Sequence, residues 1–297
     1  MPSGHTFLNV VPATAGAAAL CHGLYALVSQ GWHSPAQLAH VVEIWLGTGF
    51  VTAGAALLFD APRLYCKRAS GEIPPFVWVY LGGWLLVYRG SWLAKRALAD
   101  RGLQLKANDR LCDLVAERVL LGRLTWSLPS VDGAPEVDMV VDLTCEWSAP
   151  EALRSVPEYV AVPVVDTTRP RIDQLLHLSE LVCEHLRRPE AGSVYIHCAN
   201  GYGRSAVAAA VVLLANGTCA TPLETVRVIK AARPVVSLNK SRRRWPCEAK
   251  THIEVLQEVF REMGGADDDD GEDPTEPFFR FAGFSCPSAD CRVAALK

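Results

Sequence analysis

The chain has 297 residues, a formal net charge of −3 and a 50% hydrophobic composition, with a positive mean hydropathy of +0.14. With no basic excess there is no electrostatic footprint for nucleic acid, and no such partner is expected. Ten cysteines are scattered along the chain without a paired CxxC pattern or a regular framework, which argues against a small disulfide-stapled fold.

The hydrophobic excess is concentrated in the first third. Residues 1–42 contain no Lys, Arg, Asp or Glu. The stretch 10–28 is apolar, Ala/Gly-rich and carries His22; it lacks the basic leader of a secretory signal. A turn at 31–35 leads to a second apolar stretch, 36–59, interrupted only by Glu43. Glu43 reads either as functional or as a capped position near a helix start. A polar connection over 60–75 holds four residues of Pro or Gly and the basic Arg63, Lys67 and Arg68. The third stretch, 76–94, has Trp78, Tyr80, Trp84, Tyr88 and Trp92, which read as an interfacial aromatic belt, and Arg89, which can snorkel.

These stretches predict three membrane spans in a region 1–94; the competing reading is a set of buried helices. Three spans put the loop 60–75 and the following soluble part on opposite faces of the bilayer. The basic residues of that loop pull against this, whereas Lys95, Arg96, Arg101, Lys106 and Arg110 favour a cytosolic soluble part. The larger set decides the orientation, giving an integral membrane protein whose soluble part faces the cytosol.

A linker over 95–114 precedes a unit spanning 115–263. Apolar runs at 119–124, 137–143 and 159–165 predict strands, the middle one flanked on both sides as in a covered sheet. A short helix is expected over 150–155. Residues 172–187 have helical periodicity, and Pro222 starts a further helix through 232. Strands alternating with helices indicate an α/β domain with a covered central sheet. From 264 to 297 the chain is rich in acidic residues and reads as a solvated tail, with Cys286 and Cys291 isolated in it.

The most informative stretch is His197-Cys198-Ala199-Asn200-Gly201-Tyr202-Gly203-Arg204-Ser205. It lies between a predicted buried strand (193–196) and a buried Ala/Val/Leu helix (206–215). A strand, a glycine-bearing loop and a helix start make an anion site, because loop amides and the helix dipole both favour negative charge. Gly201 and Gly203 allow the positive φ such a curl uses. The same field favours the thiolate of a cysteine placed within it, and Arg204 can fork onto two phosphate oxygens. A thiolate nucleophile also calls for a reducing compartment.

His-Cys-x5-Arg-Ser resembles the active-site loop of the cysteine-dependent protein tyrosine phosphatases, and the short domain around it looks most like the dual-specificity branch. The resemblance covers roughly 115–260. It implies that Cys198 attacks phosphorus, that Ser205 hydrogen-bonds the sulfur, and that His197 orients the loop without acting as a base. The backbone of Ala199, Asn200, Gly201, Tyr202, Gly203 and Arg204 would then bind the phosphoryl oxygens. Neither a cofactor nor a metal is expected, since Arg204 and the amides supply the neutralising charge. Asp166 ends a predicted strand, lies 32 residues before Cys198 and is the candidate general acid; its alternative use is a helix cap. Asp142 and Asp173 read as structural hydrogen-bonding residues. Arg233 and the basic run at 240–244 frame either an anionic substrate or a solvated surface.

Gly203 stands where many dual-specificity members have Ser or Thr, and Ala199, Asn200 and Tyr202 carry no charge. That argues for a loop reading one phosphate and against a polyphosphoinositide head group. Three functions follow as expectations: a membrane-anchored phosphatase of phosphotyrosine and phosphoserine/threonine proteins, a phosphatase of phospholipid monoesters, or a weakly catalytic phosphate-binding scaffold.

Overall fold

The computed structural model describes residues 5–30, 36–102, 109–238, 241–244 and 247–265, with residues 5–13, 30, 36, 241–244 and 247–250 described by backbone alone. Lys106, Lys240, the acidic stretch from 266 onward, Cys286 and Cys291 lie outside the described residues.

The apolar first third forms α1 (His5–Gln30), α2 (Ala36–Leu58) and α3 (Val77–Asp100). Small residues let them close on one another: a Cβ at Gly83 of α3 would stand 2.6 Å from Leu46 Cα of α2. Among the described residues one helix, Gln37–Leu58, is long and apolar enough to cross a membrane.

The rest is centred on a five-stranded sheet with helices packed on both faces. The strands are β1 (Cys112–Ala116), β2 (Val119–Arg123), β3 (Val137–Thr144), β4 (Glu158–Val164) and β5 (Ser193–Cys198), in spatial order β1-β2-β5-β3-β4. β1 pairs antiparallel with β2 and the other pairs are parallel. The predicted strands therefore form, joined by β1, which the sequence reading did not include. A short α4 (Glu151–Arg154) links β3 to β4. Three helices of the expected alternation follow: α5 (Ile172–Arg187), α6 (Arg204–Ala215) and α7 (Pro222–Ala232), the last capped by Thr221 accepting from Glu224 N. A hairpin, β6 (Ser241–Arg244) and β7 (Cys247–Thr251), leads to α8 (His252–Glu262), which was also not predicted.

The period-2 alternation of strands sorts side chains onto two cores. Val194, Ile196 and Cys198 of β5 join α5, α6 and α8 on one face. Tyr195 points to the other, where Leu120, Val140, Trp147 and Trp92 meet. Trp92 belongs to α3, so the third apolar helix supplies a core residue of the sheet domain.

The three-span reading is left unconfirmed. α3 continues beyond residue 94 and packs on the sheet domain, and the loop before it does the same. Lys67 is fully buried against Asp142 at 2.6 Å, Glu72 pairs with Arg154 at 2.7 Å, and Ala149 N donates to Gly71 O at 2.8 Å. The 60–75 loop thus packs on the sheet domain. The aromatic stripe of α3, taken from the sequence as an interfacial belt, is to a large part a packing surface.

Candidate active site

β5 delivers Cys198 to the C-terminal edge of the sheet, and the chain then curls over residues 199–203 into α6. Gly201 has φ +71°, and a Cβ there would stand 2.5 Å from Gly122 O, so this turn requires glycine. Gly203 differs from expectation: as the residue before α6 it has φ −126°, outside the left-handed region. α6 begins at Arg204, two residues earlier than read from the sequence, which puts Arg204 and Ser205 in its first turn.

The loop's carbonyls are tied outward. Cys198 O accepts from Leu124 N at 2.8 Å, Ala199 O from Trp92 Nε1 at 3.2 Å, Gly201 O from Arg233 Nε at 3.0 Å and Tyr202 O from Ser237 N at 2.8 Å. In a trans peptide the N–H opposes the C=O, so outward carbonyls turn the following amides inward. Gly201 N donates to Cys198 Sγ at 3.2 Å and Ser205 Oγ to the same sulfur at 3.3 Å. This is a built anion cradle around a buried thiol.

The loop's side chains turn outward too. Asn200 Oδ1 accepts from Trp92 Nε1 at 3.1 Å and from Arg96 at 3.1 Å; Tyr202 Oη donates to Asp109 at 2.6 Å. Arg233, which the sequence left between substrate and solvent, is fully buried and does neither job. It pairs with Asp113 at 2.6 Å and buttresses the loop from behind. Arg96 and Arg123 are likewise paired with Asp109, at 2.7 and 3.6 Å. The cations around the loop are thus matched by carboxylates, in keeping with a cradle for a single phosphate.

Arg204 is buried and held by four groups. Its Nη1 donates to Val164 O at 2.8 Å, Leu143 O at 3.3 Å and Glu146 Oε2 at 3.0 Å, and its Nη2 lies 2.8 Å from Glu146 Oε1 and 2.9 Å from Asp166 Oδ1. Burial works against its charge, but Glu146 and Asp166 outweigh that and hold its pKa well above the ordinary value. Glu146, itself buried, is a site residue that the sequence reading missed; a single Glu in a strand-end loop carries no local signal.

Asp166 is the second residue of a tight turn closed between Val165 and Thr168. Thr167 occupies the left-handed region at φ +68°, a costly conformation for a β-branched residue, and Thr168 closes the turn with two bonds to Val165 O. Asp166 does not cap α5: the N-cap residue is Arg171, whose backbone N–H donates to Gln174 Oε1 at 3.0 Å. Instead Asp166 Oδ2 accepts from the Tyr88 hydroxyl at 3.0 Å. The Tyr88 hydroxyl also lies 3.2 Å from Glu146 Oε1, and Arg89 Nε donates to Glu146 O at 3.0 Å. α3 therefore reaches the thiol loop through Trp92 and Arg96, both carboxylates through Tyr88, and the Glu146 backbone through Arg89. The available signal was the spacing of four in Tyr88, Trp92 and Arg96, which sets all three on one helix face.

Alternation along β5 sets the His197 ring on the sheet face opposite the Cys198 thiol, with the Cys198 backbone beside it. It stacks on Tyr195 at 5.3 Å, with Nε2 3.9 Å from Asp142 Oδ1. Burial lowers its pKa against the pull of Asp142. Asp142 is structural, as expected: burial opposes its charge, but Lys67 outweighs that and holds it well below the usual carboxylate range. Asp173 is an exposed partner of Arg171.

A cavity of about 140 Å³ lies between α2, α3 and the acid turn. Phe50, Leu57 and Trp84 line its apolar side, and Tyr88, Asp166 and Thr167 its polar end.

Residues 133–255 match the family model described as PTP-SAK: Swiss Army Knife protein, DSP-PTPase phosphatase domain. Among solved structures, Tk-PTP in its active form is 25% identical over 51% of this chain and 97% of its own, with a TM-score of 0.39. PTPMT1 in complex with PI(5)P is 21% identical over 52% and 97%, with a TM-score of 0.41. A mouse putative dual specificity phosphatase complexed with zinc tungstate is 19% identical over 53% and 91%, with a TM-score of 0.39. No curated protein matches the sequence. The family match falls on the segment that builds the thiol cradle and its buried arginine, a stretch that fits the description of a DSP-PTPase phosphatase domain.

Proposed function

We propose that the chain hydrolyses phosphomonoesters in two steps through a phosphocysteine at Cys198. The observation that carries this is the cradle itself: outward carbonyls, inward amides, and Ser205 and Gly201 both bonded to the sulfur. In the first step Cys198 Sγ bonds to phosphorus, the P–O bond of the ester breaks, and the leaving oxygen takes a proton from Asp166. In the second step water attacks the phosphocysteine, Asp166 takes its proton, and the thiolate leaves with the Ser205 hydroxyl bonded to it. Arg204 and the amides of residues 199–204 stabilise charge on the transferring group. A phosphate entering the loop exchanges with Asp166 on Arg204, which frees the carboxyl to meet the leaving oxygen.

The substrate of the first reading is a phosphotyrosine or phosphoserine/threonine protein. The cavity favours a second reading, a phospholipid monoester whose apolar part lies along Phe50, Leu57 and Trp84, beyond the acid. α2 supports a membrane anchor, with the catalytic unit and the basic loop 60–75 on the same, cytosolic side. That arrangement removes the conflict between the two basic clusters. Because α3 is bonded into the site, the assay uses the full chain in detergent, not a fragment starting at 95. Phosphopeptides and short-chain phosphatidyl monoesters are compared, with Cys198→Ser as the control. Turnover of peptides alone supports the first reading and of lipid alone the second. Absence of turnover, with phosphate-dependent binding retained, rejects the enzymatic mechanism for this chain.

A further inference from the structure

Glu43 is the only charged residue among the first 59, yet it does not stand alone. His22 of α1 places Nδ1 3.0 Å from both Glu43 oxygens, and His40, one turn before Glu43 on α2, places Nδ1 3.6 Å from Oε2. The three donor atoms lie within 4.8 Å of one another, and the two imidazoles meet edge to face at 6.0 Å. His40 Nδ1 is buried, with no hydrogen-bond partner among the described residues. The backbone is shaped for this approach: a Cβ at Gly23, next to His22, would stand 2.9 Å from Ile44 Cγ1 and 3.2 Å from His40 O.

We propose that His22, His40 and Glu43 bind a divalent transition-metal ion that staples α1 to α2. Two imidazoles and a carboxylate form the borderline donor set that suits zinc, and hard cations such as Mg²⁺ are poorly matched to it. Ligand bonds of about 2.0–2.1 Å in a tetrahedron place donor atoms roughly 3.3 Å apart. The observed 3.0 and 3.6 Å bracket that separation, so a small rotation of either ring admits the ion. Three protein donors leave a fourth position for water on the side of His22, whose side chain is 65% exposed. The site is about 10 Å along α2 from Phe50, at 1.5 Å per residue, and is separate from the thiol cradle. It leaves the metal-free phosphoryl chemistry proposed for Cys198 untouched.

The test titrates chelator-treated, detergent-solubilised full-length protein with Zn²⁺ by calorimetry, and with Co²⁺ by visible absorption. One ion per chain is expected, with four-coordinate d–d bands and no thiolate charge-transfer band, since Cys21 and Cys198 are not ligands. Changes beyond a metal's direct ligands already cost 10–100-fold in affinity, so His22→Ala and His40→Ala should each weaken binding by about 100-fold or more. Glu43→Gln, which keeps the side-chain shape and its hydrogen bond to His22, should do the same while helix content stays unchanged. His22→Cys should restore binding and introduce a thiolate charge-transfer band. Binding that survives in all three ligand variants, or wild-type binding no tighter than millimolar, would overturn the site and leave a plain hydrogen-bonded clasp.

Discussion

Replacing Tyr88 by Phe removes one hydroxyl and leaves the ring, which keeps its contact with Trp84 at 5.5 Å between centroids. That hydroxyl lies 3.0 Å from Asp166 Oδ2 and 3.2 Å from Glu146 Oε1, and with one proton it donates to one of them at a time. A hydrogen bond to a charged group contributes about 1.5–3 kcal/mol, and each ~1.4 kcal/mol is a factor of ten in rate. The ceiling on kcat is therefore a loss of roughly 10–150-fold. The turn closed by Thr168 on Val165 O still holds the Asp166 backbone in place, which keeps the loss near the lower end, about tenfold. The proposed role is to aim the acid, so the loss should depend on the leaving group. Phenyl or alkyl phosphates, which need a proton on the departing oxygen, should lose about tenfold in kcat, and p-nitrophenyl phosphate should lose little. Thermal melting checks that the fold survives. An equal loss on both classes of substrate, or none on either, would refute the assignment of Tyr88 as the residue that positions Asp166.

Glu146→Ala removes the fork that aims Arg204 and should lower kcat/KM by about 10²-fold, the cost of misplacing a catalytic group by about 1 Å; steady-state kinetics measure it. Lys67→Met leaves Asp142 buried and uncompensated, and should destabilise the catalytic unit by about 3–5 kcal/mol in denaturant unfolding. Adding Asp142→Asn to that variant should return part of the loss. Stability should also fall on acidification in two stages. His197 has a lowered folded pKa, so below about pH 6.5 the unfolded state binds a proton that the folded state refuses; Asp142, depressed by Lys67, withdraws its contribution only below about pH 4. Melting temperatures of the wild type and His197→Asn against pH should diverge from pH 7 downward, and parallel curves would show that another group carries the first stage.

Much of the catalytic unit was legible in the residues themselves. The nonapeptide from His197 to Ser205 carries a strand end, a left-handed glycine and a helix start within nine positions, so its curl is set by local backbone preference. The helix Ile172–Arg187 and the strands at 119, 137, 159 and 193 follow from apolar periodicity, which depends on near neighbours along the chain. Asp166 was found because it ends such a strand. β1 and α8 were missed because short or strongly polar-faced elements gain their stability from packing more than from their own pattern.

What tertiary structure alone decided is the role of residues 60–100. Lys67 meets Asp142 75 positions later, Tyr88 meets Asp166 78 positions later, and Trp92 meets Ala199 107 positions later. Nothing in the local pattern distinguishes an aromatic stripe that faces lipid from one that faces a sheet, since both are apolar helices with the same period. The difference lies in which polar groups the far side presents. Here Glu146, Asp166 and Asn200 face Tyr88, Trp92 and Arg96, and burying them without α3 would leave hydrogen-bonding groups unmatched. Local sequence determined the cradle for phosphate; long-range burial of charge and hydrogen bonds made the third apolar helix one of its walls.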